Sequence, residues 1–168
     1  MTTVVVDIQN KKAYSDSRFT STNTKTGDNT YTKTKDKIMK HKNGESLCAL
    51  SGNVALIRSK LKSSGFNKAF KNSIGCYKSG DSCCIIILQK ASKLATVVIG
   101  VVVGDTVKWE YRTYNDQYIY VGSGSVTKEA KKISRYIESG IKIPFASIIK
   151  AASFTDNYTD NDIRKVVL

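Results

Sequence analysis

Between Leu94 and Val103 the chain reads Leu-Ala-Thr-Val-Val-Ile-Gly-Val-Val-Val. A run of about ten apolar residues, broken by Thr96 and Gly100, is too short to cross a bilayer. It is also too rich in β-branched residues to favour a helix, so Ala95–Val103 is expected to be a strand. The same signature recurs at Thr3–Gln9 and at Ser82–Leu88. Further strands are expected at Lys12–Asp16, Thr106–Arg112 and Gln117–Val121. Asn43-Gly44, a dipeptide suited to tight hairpins, joins Lys37–Lys40 to Ser46–Ser51. Residues 17–36 are dominated by Ser, Thr, Asn, Asp and Lys and are expected to form a long polar loop.

Helical spacing of apolar residues appears in four places. Asn53 is a candidate N-cap for a helix running to Leu61, and a weaker stretch runs from Asn67 to about Ser73. Thr127–Ser139 carries Thr127 as a cap and Glu129 near its start, and Pro144–Ser153 follows. The order is strands, two helices, strands, two helices, with no internal repeat and no linker. It predicts a single domain over residues 1–168 of the α+β class, with antiparallel strands and helices segregated in pairs.

Composition narrows the function. The 27 Lys and Arg outnumber the 14 Asp and Glu, for a formal net charge of +13. The excess is +9 in residues 1–84 and +4 in 85–168, with no block of five like charges, so it is not a basic tail. His41 is the only histidine, which removes zinc-ligand spacing and any His-based triad. No metal and no cofactor is expected. Cys83 and Cys84 lie inside an apolar run, which suits buried thiols better than a disulfide framework. The start, Met-Thr-Thr-Val-Val-Val-Asp, has neither the charge nor the apolar stretch of a signal peptide. A soluble, cytoplasmic protein with no membrane partner is expected.

Without a histidine base, a nucleophilic enzyme needs another proton acceptor, and Met1-Thr2 offers one. Removal of the initiator Met would expose Thr2 with a hydroxyl and a free α-amine. Such an amine titrates near neutrality, about 7.7–8.0, so it can take the hydroxyl proton directly or through water. Many chains that begin Met-Thr expose an inert threonine, so the dipeptide needs support elsewhere.

That support is a series of landmarks in order. Thr2-Thr3-Val4 is followed by Asp16-Ser17-Arg18-Phe19-Thr20, by Lys37-Ile38, and by Ala49-Leu50-Ser51-Gly52 ahead of a helix. Gly122-Ser123-Gly124 precedes another helix, and Asp156-Asn157-Tyr158-Thr159 lies near the end. Taken together the chain resembles the N-terminal threonine peptidases, the proteasome β-subunits and the bacterial HslV peptidase. The resemblance implies an Ntn-hydrolase fold, a four-layer αββα sandwich of two antiparallel sheets flanked by helix pairs. It implies a threonine-type endopeptidase acting on unfolded polypeptides inside a homo-oligomeric ring, fed by an ATP-dependent unfoldase.

The resemblance also supplies roles. Thr2 would be the nucleophile and its amine the general base. Lys37 would lower the pKa values of both, and Asp16 would hold the Lys37 ammonium. The Gly52 N–H would stabilise the oxyanion, while Ser123, Asp156 and Thr159 would orient the amine. A substrate strand would lie near Thr20 and Ala49. Phe19, Lys35, Ala49 and Asn53 would border an open, deep pocket for the residue before the cut, with Lys35 favouring an acidic or long polar end. The turn at Asn10 is one residue shorter than the family's first hairpin. A residue missing from that turn keeps Thr2 at the strand's end, whereas an ungapped alignment moves it along the strand.

Bland alternatives stand beside these roles: Asp16 and Lys37 as a surface ion pair, Gly122–Ser125 as an ordinary loop, Asp156–Asp160 as a turn. Two other functions compete. One is an inactive ring subunit of the same fold. The other is a nucleic-acid-binding module, in which Trp109, Tyr111, Tyr114, Tyr118 and Tyr120 interleave with Lys108 and Arg112 as a stacking platform. Period-2 spacing explains the same aromatics as faces of half-buried strands.

Overall fold

The computed structural model describes residues 3–22, 25–66 and 75–168. The long β-branched runs form strands, and every strand pair is antiparallel. A four-stranded sheet has the order β10-β1-β2-β11, with β1 Thr3–Asp7, β2 Lys12–Asp16, β10 Tyr118–Gly122 and β11 Ile163–Val167. A five-stranded sheet runs β5-β6-β7-β8-β9, with β5 Ile38–Lys40, β6 Ser46–Gly52, β7 Ser82–Gln89, β8 Ala95–Val103 and β9 Thr106–Tyr114. The architecture is α+β.

A third, two-stranded sheet was not anticipated. β3, Arg18–Thr22, pairs with β4, Asn29–Lys33, inside the segment expected to be a polar loop. Thr20, Thr22, Thr30 and Thr32 carry the β-branched preference for extended backbone without needing burial. β4 is exposed throughout. Polar composition concealed a ribbon whose only apolar anchor in the core is Phe19, with Arg18 and Lys33 tied to Asn157 and Asp162.

Three helices are described: α1 Val54–Leu61, α2 Lys128–Glu138 and α3 Ala146–Ala152. The Asn53 side chain accepts from the N–H groups of Ala55 and Leu56, and Thr127 accepts from that of Ala130, so both expected caps form. The helix expected over Asn67 to Ser73 lies outside the described residues, all but Gly75 onward of that connection being undescribed. None of the described helices is long and apolar enough to cross a membrane.

Strand alternation distributes the core into three clusters. Cys48 and Leu50 of β6 turn one way, with Cys83, Ile85, Val98 and Val102, onto Leu56, Ile57 and Leu61 of α1. Leu47 and Ala49 turn the other way, joining Ile38, Ile86, Leu88 and Val97 against Val4, Val6, Ile8 and Ala13 of the four-stranded sheet and the turn after β1. Val5, on the opposite face of β1, meets Ala130, Ile137, Ile148, Ile149 and Ala152 of α2 and α3. β1 is therefore buried on both faces, which is why it reads as an unbroken apolar run. Its first residue, Thr3, opens into the polar cluster described next.

Candidate active site

β1 begins where two sheet edges and a distant loop converge. The β1–β10 register sets Thr3 opposite Gly122, so Ser123 follows directly beside it. The β1–β2 register sets Val4 opposite Ser15, and one step further the Thr3 N–H donates to Asp16 Oδ1 at 2.9 Å. The β1–β2 turn occupies the four residues between Asp7 and Lys12, which pair with each other.

Asp16 ends β2 fully buried, and Lys37 enters β5 at 3% exposure. Lys37 Nζ lies 2.8 Å from Asp16 Oδ2, and the same oxygen accepts the Arg18 N–H at 3.1 Å. These two residues are thus a buried ion pair and not a surface one. Burial disfavours the charged ammonium and pulls Lys37 below the ordinary lysine range, an effect that the neighbouring Asp16 carboxylate opposes.

On the other side of Thr3 lies a run of hydroxyls. Thr159 Oγ1 donates to Asp156 Oδ2 at 2.5 Å, and Ser123 Oγ donates to the same oxygen at 2.6 Å. Thr3 Oγ1 is 2.7 Å from Thr159 Oγ1. Because the Thr159 proton is directed at Asp156, the Thr3 hydroxyl is the donor in that contact. Lys37, Asp16, Thr3, Thr159, Asp156 and Ser123 therefore form one unbroken hydrogen-bonded series, drawn from β1, β2, the turn before β5 and the segments that follow β10 and α3.

The loop carrying Asp156 and Thr159 is tied down at its far end. The Ser17 N–H and hydroxyl both donate to the Asp160 carboxylate, at 2.9 Å each, and the Arg18 guanidinium donates to the Asn157 carbonyl. Within the loop, the N–H of Tyr158 donates to Asp156 Oδ1. Asp156–Asp160 is a turn, and it is a turn held against the start of β1.

One glycine makes room for this arrangement, and a second sets the exit from β6 nearby. A Cβ on Gly124 would collide with Thr3 Oγ1, reach within 2.7 Å of Ala152 Cβ and come within 3.0 Å of Thr159 Oγ1. Gly52 has φ +105°, and a Cβ there would collide with the Ser82 carbonyl and lie 2.6 Å from Cys83 Cα. Gly52 lets the chain leave β6 and enter α1, close behind Leu50, whose N–H donates to the Lys37 carbonyl at 2.8 Å.

Thr2 lies outside the described residues. The structure brings Asp16, Lys37, Ser123, Asp156 and Thr159 together through Thr3, a residue that sequence reasoning did not single out. The doubled Thr2-Thr3 was a landmark, but spacing along the chain does not reveal that Thr3 bonds a residue 156 positions away.

The pocket-bordering residues do not form one group. Ala49 is fully buried in the core between the sheets; strand parity turns its side chain inward, which corrects the expectation that it opens a deep pocket. Asn53 is occupied as well. Its oxygen caps α1, and its amide nitrogen donates to Asp81 Oδ2 at 3.1 Å and the Cys76 carbonyl at 3.2 Å. Phe19 packs on the α1-side cluster, and Lys35 is exposed on the turn after β4. Thr20 lies on β3 opposite Tyr31, with a buried Oγ1 that has no hydrogen-bond partner among the described residues.

The aromatic set divides among three faces. Trp109 packs on the α1 side, Tyr114 on the core between the sheets, and Tyr118 and Tyr120 against α2 and α3. They do not form a single stacking platform.

No family model and no curated protein matches this chain.

Proposed function

We propose that this chain is a threonine-type endopeptidase whose nucleophile is Thr2, exposed by removal of Met1. The observation that carries the reading is the hydrogen-bonded series from Lys37 through Asp16, Thr3, Thr159 and Asp156 to Ser123. It gathers an ammonium, two carboxylates and three hydroxyls around the residue that is covalently next to Thr2. An amine and a hydroxyl that exchange a proton need such a mix of charge, acceptors and donors beside them. The three-cluster core supports reading the fold as a four-layer αββα sandwich of the Ntn-hydrolase kind, with α1 outside one sheet and α2 and α3 outside the other.

In this mechanism the Thr2 hydroxyl attacks the peptide carbonyl carbon while its proton passes to the α-amine. The oxyanion is met by a backbone N–H, for which Gly52 is the candidate. The proton then moves from the ammonium to the leaving amine, and an ester on Thr2 remains. Water, deprotonated by the same amine, attacks the ester and restores the hydroxyl. Lys37 supplies positive charge that favours the neutral amine and a more acidic hydroxyl. Its burial loosens its own proton, and Asp16 fixes its position. Ser123, Asp156 and Thr159 orient the amine. The substrates are polypeptides, and a ring of copies served by an ATP-driven unfoldase would keep such a site from folded proteins.

The test is intact mass together with peptide-amide hydrolysis. The purified protein should lack Met1 and cleave fluorogenic peptide amides at neutral to mildly alkaline pH, and Thr2→Ala should abolish turnover while leaving the fold unchanged. A retained Met1, or an active Thr2→Ala variant, overturns the assignment.

A further inference from the structure

The five-stranded sheet ends on β9, whose outer edge is paired by no strand among the described residues. At nine residues it is a long edge, and free backbone donors and acceptors along such an edge form a template for another strand. Its side chains divide by parity. Val107 and Trp109 face α1, and Lys60 Nζ sits 4.6 Å above the Trp109 ring and 5.0 Å above that of Tyr111. Trp109 lies across Gly100 of β8, where a Cβ would be only 2.8 Å from one ring carbon, so its ring is directed away from the free edge. Tyr111 is 59% exposed. On the opposite face Lys108, Glu110 and Arg112 are exposed, and Arg112 Nε donates to Glu110 Oε1 at 2.7 Å.

We propose that two copies of this chain pair through β9, edge to edge and antiparallel, about a two-fold axis at Tyr111. A two-fold axis normal to the sheet keeps like faces together, so it must pass beside a single residue that meets its own copy. Centring on Glu110 overlaps the whole strand but sets Glu110 against itself and Lys108 against the partner's Arg112, which like charges oppose. Centring on Trp109 needs that ring at the edge, whereas it is committed to β8. Centring on Tyr111 sets Glu110 across from the partner's Arg112 and Arg112 across from the partner's Glu110. The ion pair within each strand becomes a four-charge cluster of alternating sign. Tyr111 meets the partner's Tyr111 on the other face, an aromatic cross-strand pair with Lys60 above it. The edge is self-complementary in that register, and the contact is independent of the peptidase reading because β9 lies at the far edge of the sheet from β5.

Particle mass by light scattering, up to about 100 µM as a small interface requires, tests the contact. Glu110→Arg should halve the particle mass, and the charge-exchanged Glu110→Arg/Arg112→Glu variant should restore it. In a Cys76→Ser background, mild oxidation should link Tyr111→Cys into covalent dimers. Directly paired Cα atoms are about 4.5–5.5 Å apart in an antiparallel ladder, within disulfide reach. Thr113→Cys, set against the partner's Trp109, should not link. A wild-type protein of one chain's mass, 18.5 kDa, throughout that range overturns the proposal. So does a Glu110→Arg variant of unchanged mass, a charge exchange that restores nothing, or Thr113→Cys linking as readily as Tyr111→Cys.

Discussion

Asp16→Asn isolates the energetics on which the candidate site rests. The substitution removes the charge 2.8 Å from Lys37 Nζ while both side chains stay in place, at 0% and 4% exposure. At that separation Coulomb's law with an effective dielectric of 20 gives about 6 kcal/mol of attraction. Part of it is offset in the native protein by the cost of desolvating both groups, and removing one partner of a buried pair costs about 3–5 kcal/mol in practice. The Asn oxygen can still accept the Thr3 N–H, but its amide nitrogen then faces the Arg18 N–H, which keeps the loss towards the upper end. Urea denaturation at neutral pH should show a midpoint lowered by about 2 M for a slope near 2 kcal/mol/M.

The pH dependence has a definite sign. Burial already holds the folded-state pKa of Lys37 below 10.5, and Asp16 is what opposes that shift. Without Asp16 the folded pKa falls further. Between that value and 10.5 the unfolded chain binds the Lys37 proton and the folded chain releases it, so stability rises with pH across this window. The Asp16→Asn deficit should therefore shrink as pH rises from the variant's folded pKa to the wild type's, both below 10.5, and stay constant beyond it. Lys37→Met added to Asp16→Asn should recover about 2 kcal/mol or more at neutral pH, because no unpaired charge remains buried. A deficit under about 1 kcal/mol, typical of exposed pairs, refutes the reasoning. A deficit that does not vary with pH, or a double variant no more stable than Asp16→Asn, refutes it equally.

Three further outcomes are expected. Lys37→Ala should lower peptide-amide turnover at least a hundredfold, about 2.7 kcal/mol of barrier, while Lys40→Ala, an exposed charge on the strand that follows Lys37, should leave it unchanged; equal losses would point to general basicity. Gly124→Ala should cost about 1–3 kcal/mol of stability by overpacking against Thr3, Ala152 and Thr159, read from thermal denaturation. In thiol titration at neutral pH only the exposed Cys76 should react rapidly in the folded protein. Burial pushes the Cys48 and Cys84 thiols up to about 12 and Cys83 up to about 11, and thiolate is the reactive form. All four cysteines should react in denaturant.

Local signals were legible where one segment decides its own conformation. The Asn53 and Thr127 caps, the Asn43-Gly44 hairpin and the β-branched runs depend on backbone preference and nearest neighbours, and each was readable from residue type and spacing. β3 and β4 were not, because a threonine-rich pair anchored in the core by Phe19 alone shows no apolar alternation to read. β11, Ile-Arg-Lys-Val-Val, was missed for a related reason: as the edge partner of β2 it keeps its two basic residues in the middle of the strand.

For the site, the sequence by itself determined which chemistry is available: a threonine near the start, no histidine base beyond His41, and acids, lysine and hydroxyls at separated landmarks. Only the tertiary structure decided which of these meet. The pairing of β1 with β10 brings Ser123 to Thr3, and the carboxylate of Asp160 on Ser17 brings Thr159 to the same place. Residue spacing records neither contact, since both depend on strands and loops more than a hundred residues apart closing on one another. The structure also decided burial. Asp16 and Lys37 have polar sequence neighbours, and what removes them from water is the folding of two sheets over the start of β1. Ala49 shows the same limit from the other side: its identity suited an open pocket, but strand parity turned it into the core.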